Sequence, residues 1–355
     1  MAATHSKHGL SASSTRPKAR SSRLMSAFEF DTYGFERPDD FDYKTYQDFM
    51  SSYLRVLARR AAKWDVMVKN KERVKKSVKV KRYVRKGIPN EHRPMVWMCV
   101  SGAQERMEAN PDLFQKLLSG PKDQQLMETI QMDLYRTFPE NIFFKDLKDP
   151  KSLRGHLQNV LVAFGHHNKS IGYCQGLNFI AALMLLVVRD DHKVFWLLDT
   201  IVTNILPDYY ARDMVGLKTD QEVLGELIKL KVPNVHAKIT GEGIHWSLIC
   251  TKWFICLFAD VLPVESVLRI WDSLLFEGSK VLFRISLTLV KLHEEKLLKC
   301  KNFPEITEIF KGMTQDKIAF NCHDLMQNSF ILPGSLPQSL INKLREKHRR
   351  VIEEE

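Results

Sequence analysis

Arg136 and Gln175 are the side chains of this sequence best suited to phosphoryl transfer to water. A guanidinium neutralises charge that spreads over a transferring phosphoryl group, and a glutamine amide both donates to that group and orients the attacking water. They sit within Ile-Gln-Met-Asp-Leu-Tyr-Arg-Thr-Phe-Pro over 130–139 and Ile-Gly-Tyr-Cys-Gln-Gly-Leu-Asn over 171–178. Neither is diagnostic alone. Asp133 and Arg136, three positions apart, read equally well as a surface helix pair worth roughly a few tenths of a kcal/mol. Gln175 by itself reads as an ordinary loop amide.

Helices must position both residues. Ile130, Leu134 and Phe138 recur at i, i+4, i+8, which predicts a helix over 127–138 with Asp133 and Arg136 on a neighbouring strip and Pro139 marking its end. A second helix is predicted over 152–168, carrying Leu153, Leu157, Val160, Leu161 and Phe164. Between it and an apolar helix starting near Leu177 lies a loop whose Gly172 and Gly176 permit a tight path, so Gln175 falls at a loop-to-helix junction. Amphipathic segments follow over 194–205, 220–231, 246–258, 264–276, 279–299 and 338–353. Pro207, Pro233, Gly241, Gly243, Pro263 and Gly278 connect them. No alternating strand pattern or Asn-Gly hairpin stands out, so the expected fold class is all-α.

At 355 residues with 44% hydrophobic content, the chain can bury a large core, and nothing central reads as a linker. The six cysteines show neither C-x-x-C nor paired Cys/His spacing, which fits reduced thiols better than a disulfide framework or zinc site. Residues 1–27 read as a disordered basic tail without the apolar core of a secretory signal or the amphipathic face of a transit peptide. The longest apolar run, 179–188, is too short for a membrane span and reads as a buried helix.

Charge is concentrated in one place. From Arg55 to Lys86 there are fourteen Lys/Arg against Asp65 and Glu72, an excess of twelve compared with +11 for the whole chain. Trp64, Val68, Val74 and Val78 suit a basic helix packed on one side, ended by Gly87-Ile88-Pro89. A solvated helix face, contact with anionic membrane or an acidic partner, and nucleic acid all remain open for 55–86. Nucleic acid is the weakest, since no recognition motif accompanies the charge.

Four separated motifs now combine: Lys86-Gly-Ile-Pro with Arg93, Val96 and Trp97; Ile130-x-x-Asp-x-x-Arg-Thr-Phe-Pro; Gly172-Tyr-Cys-Gln-Gly-Leu-Asn; and Trp253, Leu262-Pro263, Arg269-Ile-Trp-Asp and Glu277-Gly278. In order and chemistry this series resembles the TBC domain of Rab GTPase-activating proteins over about 87–299. The resemblance implies a two-lobed all-helical domain, preceded by a basic helical segment over 28–86 and followed by a helical extension over 300–355 packed on the second lobe. It implies a GTP-bound Rab-family small GTPase as partner, with GTP and Mg²⁺ held by that partner. Arg136 becomes an arginine finger and Gln175 a glutamine finger, replacing the water-orienting glutamine of the GTPase. Asp133 would fix the guanidinium, and Tyr173 with Asn178 would shape the glutamine loop. A role in vesicle trafficking and a cytoplasmic address, peripheral on endomembranes, go with it.

The alternative is a non-catalytic Rab-binding adaptor with the same fold, for which loss of a finger would be expected; both fingers are intact. No G-x-x-x-x-G-K-[ST] loop occurs, in keeping with nucleotide held by the partner. Trp97, Trp253 and Trp271 read as core, and Arg93, Arg269 and Asp272 as braces of helix ends. His92, His166 and His167 read as exposed loop histidines without metal-ligand spacing. A Ser-His-Asp site lacks its G-x-S-x-G elbow.

Overall fold

The computed structural model describes residues 30–354 except 38, 40, 70, 71, 147 and 148. The tail expected over 1–27 lies outside the described residues. Among those residues there are α-helices but no strand, only the isolated bridges Phe30–Glu36 and Phe35–Asn141. The all-α expectation holds.

The basic segment forms two helices rather than one. Helix α1 (Tyr43–Val68) starts where the Asp42 carboxylate accepts from the Thr45 N–H at 2.9 Å, and it buries Tyr53, Trp64 and Met67. The chain then leaves the helix until Ser77 caps α2 (Val78–Lys86) by accepting from the Val80 N–H. Val78, expected to pack with Val74, is instead 87% exposed, and Val80 and Val84 turn inward. The break resets the helical phase, so the period that joined 74 to 78 does not carry through. Gly87 ends α2 at φ +107°, and a Cβ there would lie 2.5 Å from Arg269 Nε. Both conformation and space demand glycine.

A 3₁₀ turn at Asn90–His92 leads into the first lobe: α3 (Arg93–Ser101), α4 (Ala103–Ala109), α5 (Leu113–Ser119), α6 (Gln124–Leu134), α7 (Ile142–Lys145), α8 (Arg154–His167), α9 (Leu177–Val188) and α10 (Asp191–Thr200). Helix α9 is apolar almost all round, as a helix at the centre of a bundle must be, and only Phe179 and Val187 are not fully buried. Helix α8 packs against α5, α6, α9 and α10.

A π turn at Ile201–Ile205 opens the second lobe: α11 (Val215–Lys231), α12 (Pro233–Gly241), α13 (Trp246–Ile255), α14 (Val264–Glu277), α15 (Lys280–Leu292), α16 (Glu294–Lys299), α17 (Phe303–Gly312), α18 (Lys317–Phe320), α19 (Cys322–Ile331) and α20 (Gln338–Glu354). Helix α20 lies along α11, where Arg345 clasps Asp220 at 2.6 and 2.7 Å. The single helix expected over 279–299 divides at His293, whose ring binds the Leu289 carbonyl and, at 2.7 Å, Asp316. Pro233 occupies the first turn of α12, where its missing N–H leaves no bond unmade.

Helix α14 joins the lobes by packing on α2 and α3. Its Asp272, wholly buried, accepts from the Ile88 N–H (3.0 Å), Trp97 Nε1 (2.8 Å) and Arg93 Nε (3.2 Å). Arg269, one turn earlier, donates to Tyr53 Oη and to the Arg85 carbonyl at the end of α2, each at 3.1 Å. The expected bracing of a helix end is therefore seen for Arg269. Arg93 and Asp272 do more, tying α3 to α14 across the seam.

Candidate functional site

Helix α6 stops at Leu134, and the chain turns over 135–139. Arg136 thus lies in the turn beyond the helix, not on the helix as its spacing predicts. Phe138 is responsible: it takes the left-handed conformation at φ +47°, a strained position for a residue with a Cβ. Its ring still reaches the core, 4.9 Å from Phe35 and 5.4 Å from Phe179 between ring centres. The apolar period is real, but a turn completes it. The segment before α1 buttresses this turn, with the Gly34 carbonyl accepting from the Ile142 N–H and the Tyr33 carbonyl from Asn141, each at 3.0 Å.

Asp133, buried in the last turn of α6, uses its two oxygens on different partners. Oδ1 holds Arg136 Nη2 at 2.6 Å, and Oδ2 accepts from Tyr173 Oη at 2.5 Å. One carboxylate therefore connects the arginine to the loop before α9. Burial, then the bond to Asp133, raise the Tyr173 pKa above its ordinary value, so the phenol stays a donor. The Arg136 side chain is 51% exposed against 8% for Asp133. The buried carboxylate orients the guanidinium while leaving donors free toward solvent.

A second link lies alongside. Asn178, fully buried in the first turn of α9, donates from Nδ2 to Thr137 Oγ1 at 2.8 Å and accepts at Oδ1 from the Gly176 N–H at 3.0 Å. Thr137 in turn donates to the Asp133 carbonyl at 2.6 Å. Thr137 follows Arg136 and Gly176 follows Gln175, so the two turns are tied directly behind both residues. Gly176 has φ +111°, and a Cβ on it would sit 3.1 Å from the Ile255 carbonyl of α13. Gln175 is exposed, and its amide bonds to no other side chain among the described residues. Cys174 beside it is buried, which pushes its thiol up to about 11 and leaves it protonated near neutrality.

All five site residues from the sequence, Asp133, Arg136, Tyr173, Gln175 and Asn178, thus belong to two turns held together. Sequence reasoning missed Thr137 as a link, although it lies inside the 130–139 motif. A small polar residue between Arg136 and Phe138 carries no periodic signal of its own. An open groove of about 1010 Å³ runs from Arg136 and Pro139 past Phe179 to Tyr33 and the Leu54 and Leu57 face of α1. The histidines differ from the exposed loop expectation: His92 binds Asp65 at 2.9 Å, and His166 and His167 end α8.

The two-lobed helical architecture is that of TBC domains. The Rab-GTPase-TBC domain model matches residues 90–298, more than half of the chain, and the chain belongs to that family. It is 52% identical to growth hormone-regulated TBC protein 1-A of Danio rerio, over 92% of this chain and 91% of that one. It is 51% identical to growth hormone-regulated TBC protein 1 of Homo sapiens, over 90% and 94% respectively. Among solved structures, the Chlamydomonas flagellar RabGAP TBC domain aligns over 85% of this chain and 99% of its own, with TM-score 0.74 and 29% identity. The Ypt/Rab-GAP domain of Gyp1p shares the fold at TM-score 0.65 and 19% identity, over 78% and 98%.

Proposed function

We propose that this chain accelerates GTP hydrolysis by a Rab-family small GTPase in trans, with Arg136 and Gln175 as its two fingers. The observation that carries this reading is the divided use of Asp133, one oxygen on Arg136 and the other on Tyr173, two residues before Gln175. It supports a site in which two exposed donors address one nucleotide together. GTP and Mg²⁺ belong to the partner. Arg136 neutralises charge on the transferring phosphoryl group, and the Gln175 amide orients water and donates to the same group. A lysine at 136 would not replace it, because an ammonium lacks the fork that reaches several oxygens.

The chain acts in the cytoplasm on the GTP-bound state, in vesicle trafficking, and meets anionic membrane peripherally through the basic surface of 55–86. Among the described residues no helix is long and apolar enough to cross a membrane. Single-turnover GTP hydrolysis across a panel of purified Rabs tests the reading. Acceleration of at least one Rab by wild type, lost in Arg136→Ala and in Gln175→Ala, is expected. Binding to GTP-loaded Rab without acceleration would leave the adaptor reading in its place.

A further inference from the structure

Helix α1 is a wall of two grooves. Leu54, Leu57, Ala58 and Ala61 face the groove that leads to Arg136, while Arg59, Lys63, Val66 and Met67 face a second one. This second groove, about 820 Å³, is lined on its other side by Arg73, Val74, Lys75 and Ser77 and by the start of α2. Every charged residue lining it is basic: Arg59, Lys63, Arg73, Lys75 and Lys79. The acidic members of the stretch, Asp65 and Glu72, do not line it.

Pairing differs sharply between its sides. Toward the body of the protein, Lys81 and Arg85 share Glu277 at 3.1 and 2.6 Å. At the groove only Arg73 has a carboxylate, Glu108 at 2.5 Å; Arg59, Lys63, Lys75 and Lys79 have no acidic partner among the described residues. The crowding is felt nearby, where burial and then Arg82, Lys63 and Arg60 lower the pKa of Lys86. Four like charges around one concavity repel each other, and a polyanion would relieve that repulsion.

The apolar part of the groove says which polyanion. Met67, Val74 and Val80 form a buried floor, while Val66 is 77% exposed and Val78, between the lining residues Ser77 and Lys79, is 87% exposed. Protruding valines contribute nothing to holding a dissolved phosphate, but they gain by entering the acyl boundary of a bilayer beneath its headgroups. Nucleic acid fits less well. Tyr83 is the one aromatic residue lining the groove and is only partly exposed, so successive bases find no row of rings to stack on.

We propose that this groove docks the chain on bilayers whose headgroups carry clustered phosphates, the phosphates lying among Arg59, Lys63, Lys75 and Lys79 while Val66 and Val78 enter between the lipids. This rests on the peripheral membrane contact proposed for 55–86 and sharpens it from diffuse attraction to a defined headgroup site.

Vesicle sedimentation with the full chain tests it, using phosphatidylinositol bisphosphate vesicles and phosphatidylserine vesicles matched in surface charge. Wild type should bind the bisphosphate vesicles about tenfold more tightly. Arg59→Gln/Lys63→Gln/Lys75→Gln/Lys79→Gln should lose that preference and about a hundredfold in partition, since each basic residue near an anionic surface strengthens binding several-fold. A control with the same charge loss elsewhere, Lys299→Gln/Lys301→Gln/Lys311→Gln/Lys343→Gln, should keep the preference. Circular dichroism and thermal melting confirm that both variants fold. Equal binding to the two vesicle types, or equal loss in both variants, would overturn the headgroup site while leaving diffuse membrane contact standing. No binding to either vesicle would remove both. If soluble inositol polyphosphate binds as tightly as the vesicles and Val66→Ser/Val78→Ser changes nothing, the site serves a dissolved anion and the bilayer proposal fails. Tighter binding of RNA than of either vesicle would likewise overturn it.

Discussion

Two of the arginine–aspartate pairs, Arg93 with Asp272 and Arg136 with Asp133, are of opposite design. At the seam, Arg93 and Asp272 are both buried, with side-chain exposures of 2% and 0%. Every nitrogen of the Arg93 fork is engaged: Nε and Nη2 on Asp272, Nη2 also near Glu265, and Nη1 on Tyr33 Oη and Asn90. At the Arg136 turn only Asp133 is buried, and Arg136 is held through Nη2 with half its side chain in solvent. A guanidinium whose donors are all satisfied can only hold the fold together. One that is oriented but unsatisfied can bind something else, and the difference lies in how many donors the surroundings leave free.

The largest expected effect falls on the buried pair. Asp272→Ala removes the buried carboxylate on Arg93 Nε and Nη2, leaves Arg93 only the longer carboxylate contact to Glu265 at 3.5 Å, strands the Trp97 indole N–H and the Ile88 N–H, and should cost about 3–5 kcal/mol of stability. Denaturant unfolding measures this, and a loss below about 1 kcal/mol would mean that the seam is not a stabilising contact. Activity should fall only because the protein unfolds.

Arg136→Ala should do the reverse. It removes a half-exposed side chain with little packing, so the melting transition should stay in place while the stimulated GTP hydrolysis by the Rab drops by about a hundredfold or more. A variant that unfolds by circular dichroism would place Arg136 in the same structural role as Arg93 and erase the contrast. Gln175→Ala should lower activity in the same direction by a smaller factor, about tenfold or more, because the GTPase's own glutamine can partly compensate. Full activity in single-turnover assays would count against a second finger.

Much of this contrast is legible in the amino-acid sequence. The apolar periods locate α8, α9, α14 and α20, and the polar residues that interrupt them between 130 and 178 locate the site. What is not legible has two physical sources. Periodicity reads phase only while a helix continues, so it carries Val78 inward across a break and keeps Arg136 on a helix that ends at Leu134. Long-range polar contacts leave no local signal: Arg93 and Asp272 are 179 positions apart, and nothing around Thr137 announces that it meets Asn178. Asp133 is legible as a partner of Arg136 because helix geometry makes i, i+3 neighbours. Its second bond, to Tyr173, is not.

The two links between the turns give the smallest and most specific test. Tyr173→Phe keeps the ring and removes the hydroxyl that donates to Asp133; Thr137→Val keeps the shape and removes the oxygen that Asn178 binds. Tyr173 keeps its proton across the neutral range, so its contribution should not vary between about pH 6 and 9. Either link alone still ties the arginine turn to the glutamine loop, so each single variant should lose only a few-fold in catalytic rate at saturating Rab. With both removed, neither of these hydrogen-bonded links remains between the turns, and the loss should exceed the product of the single losses by roughly 0.5–3 kcal/mol of coupling energy. A strictly multiplicative double variant would show that the links act independently, each on its own finger. The same cycle in melting temperature provides the control. If the coupling appears there with equal size, the links stabilise the lobe as Arg93 and Asp272 do, and their alignment of the fingers has no separate effect.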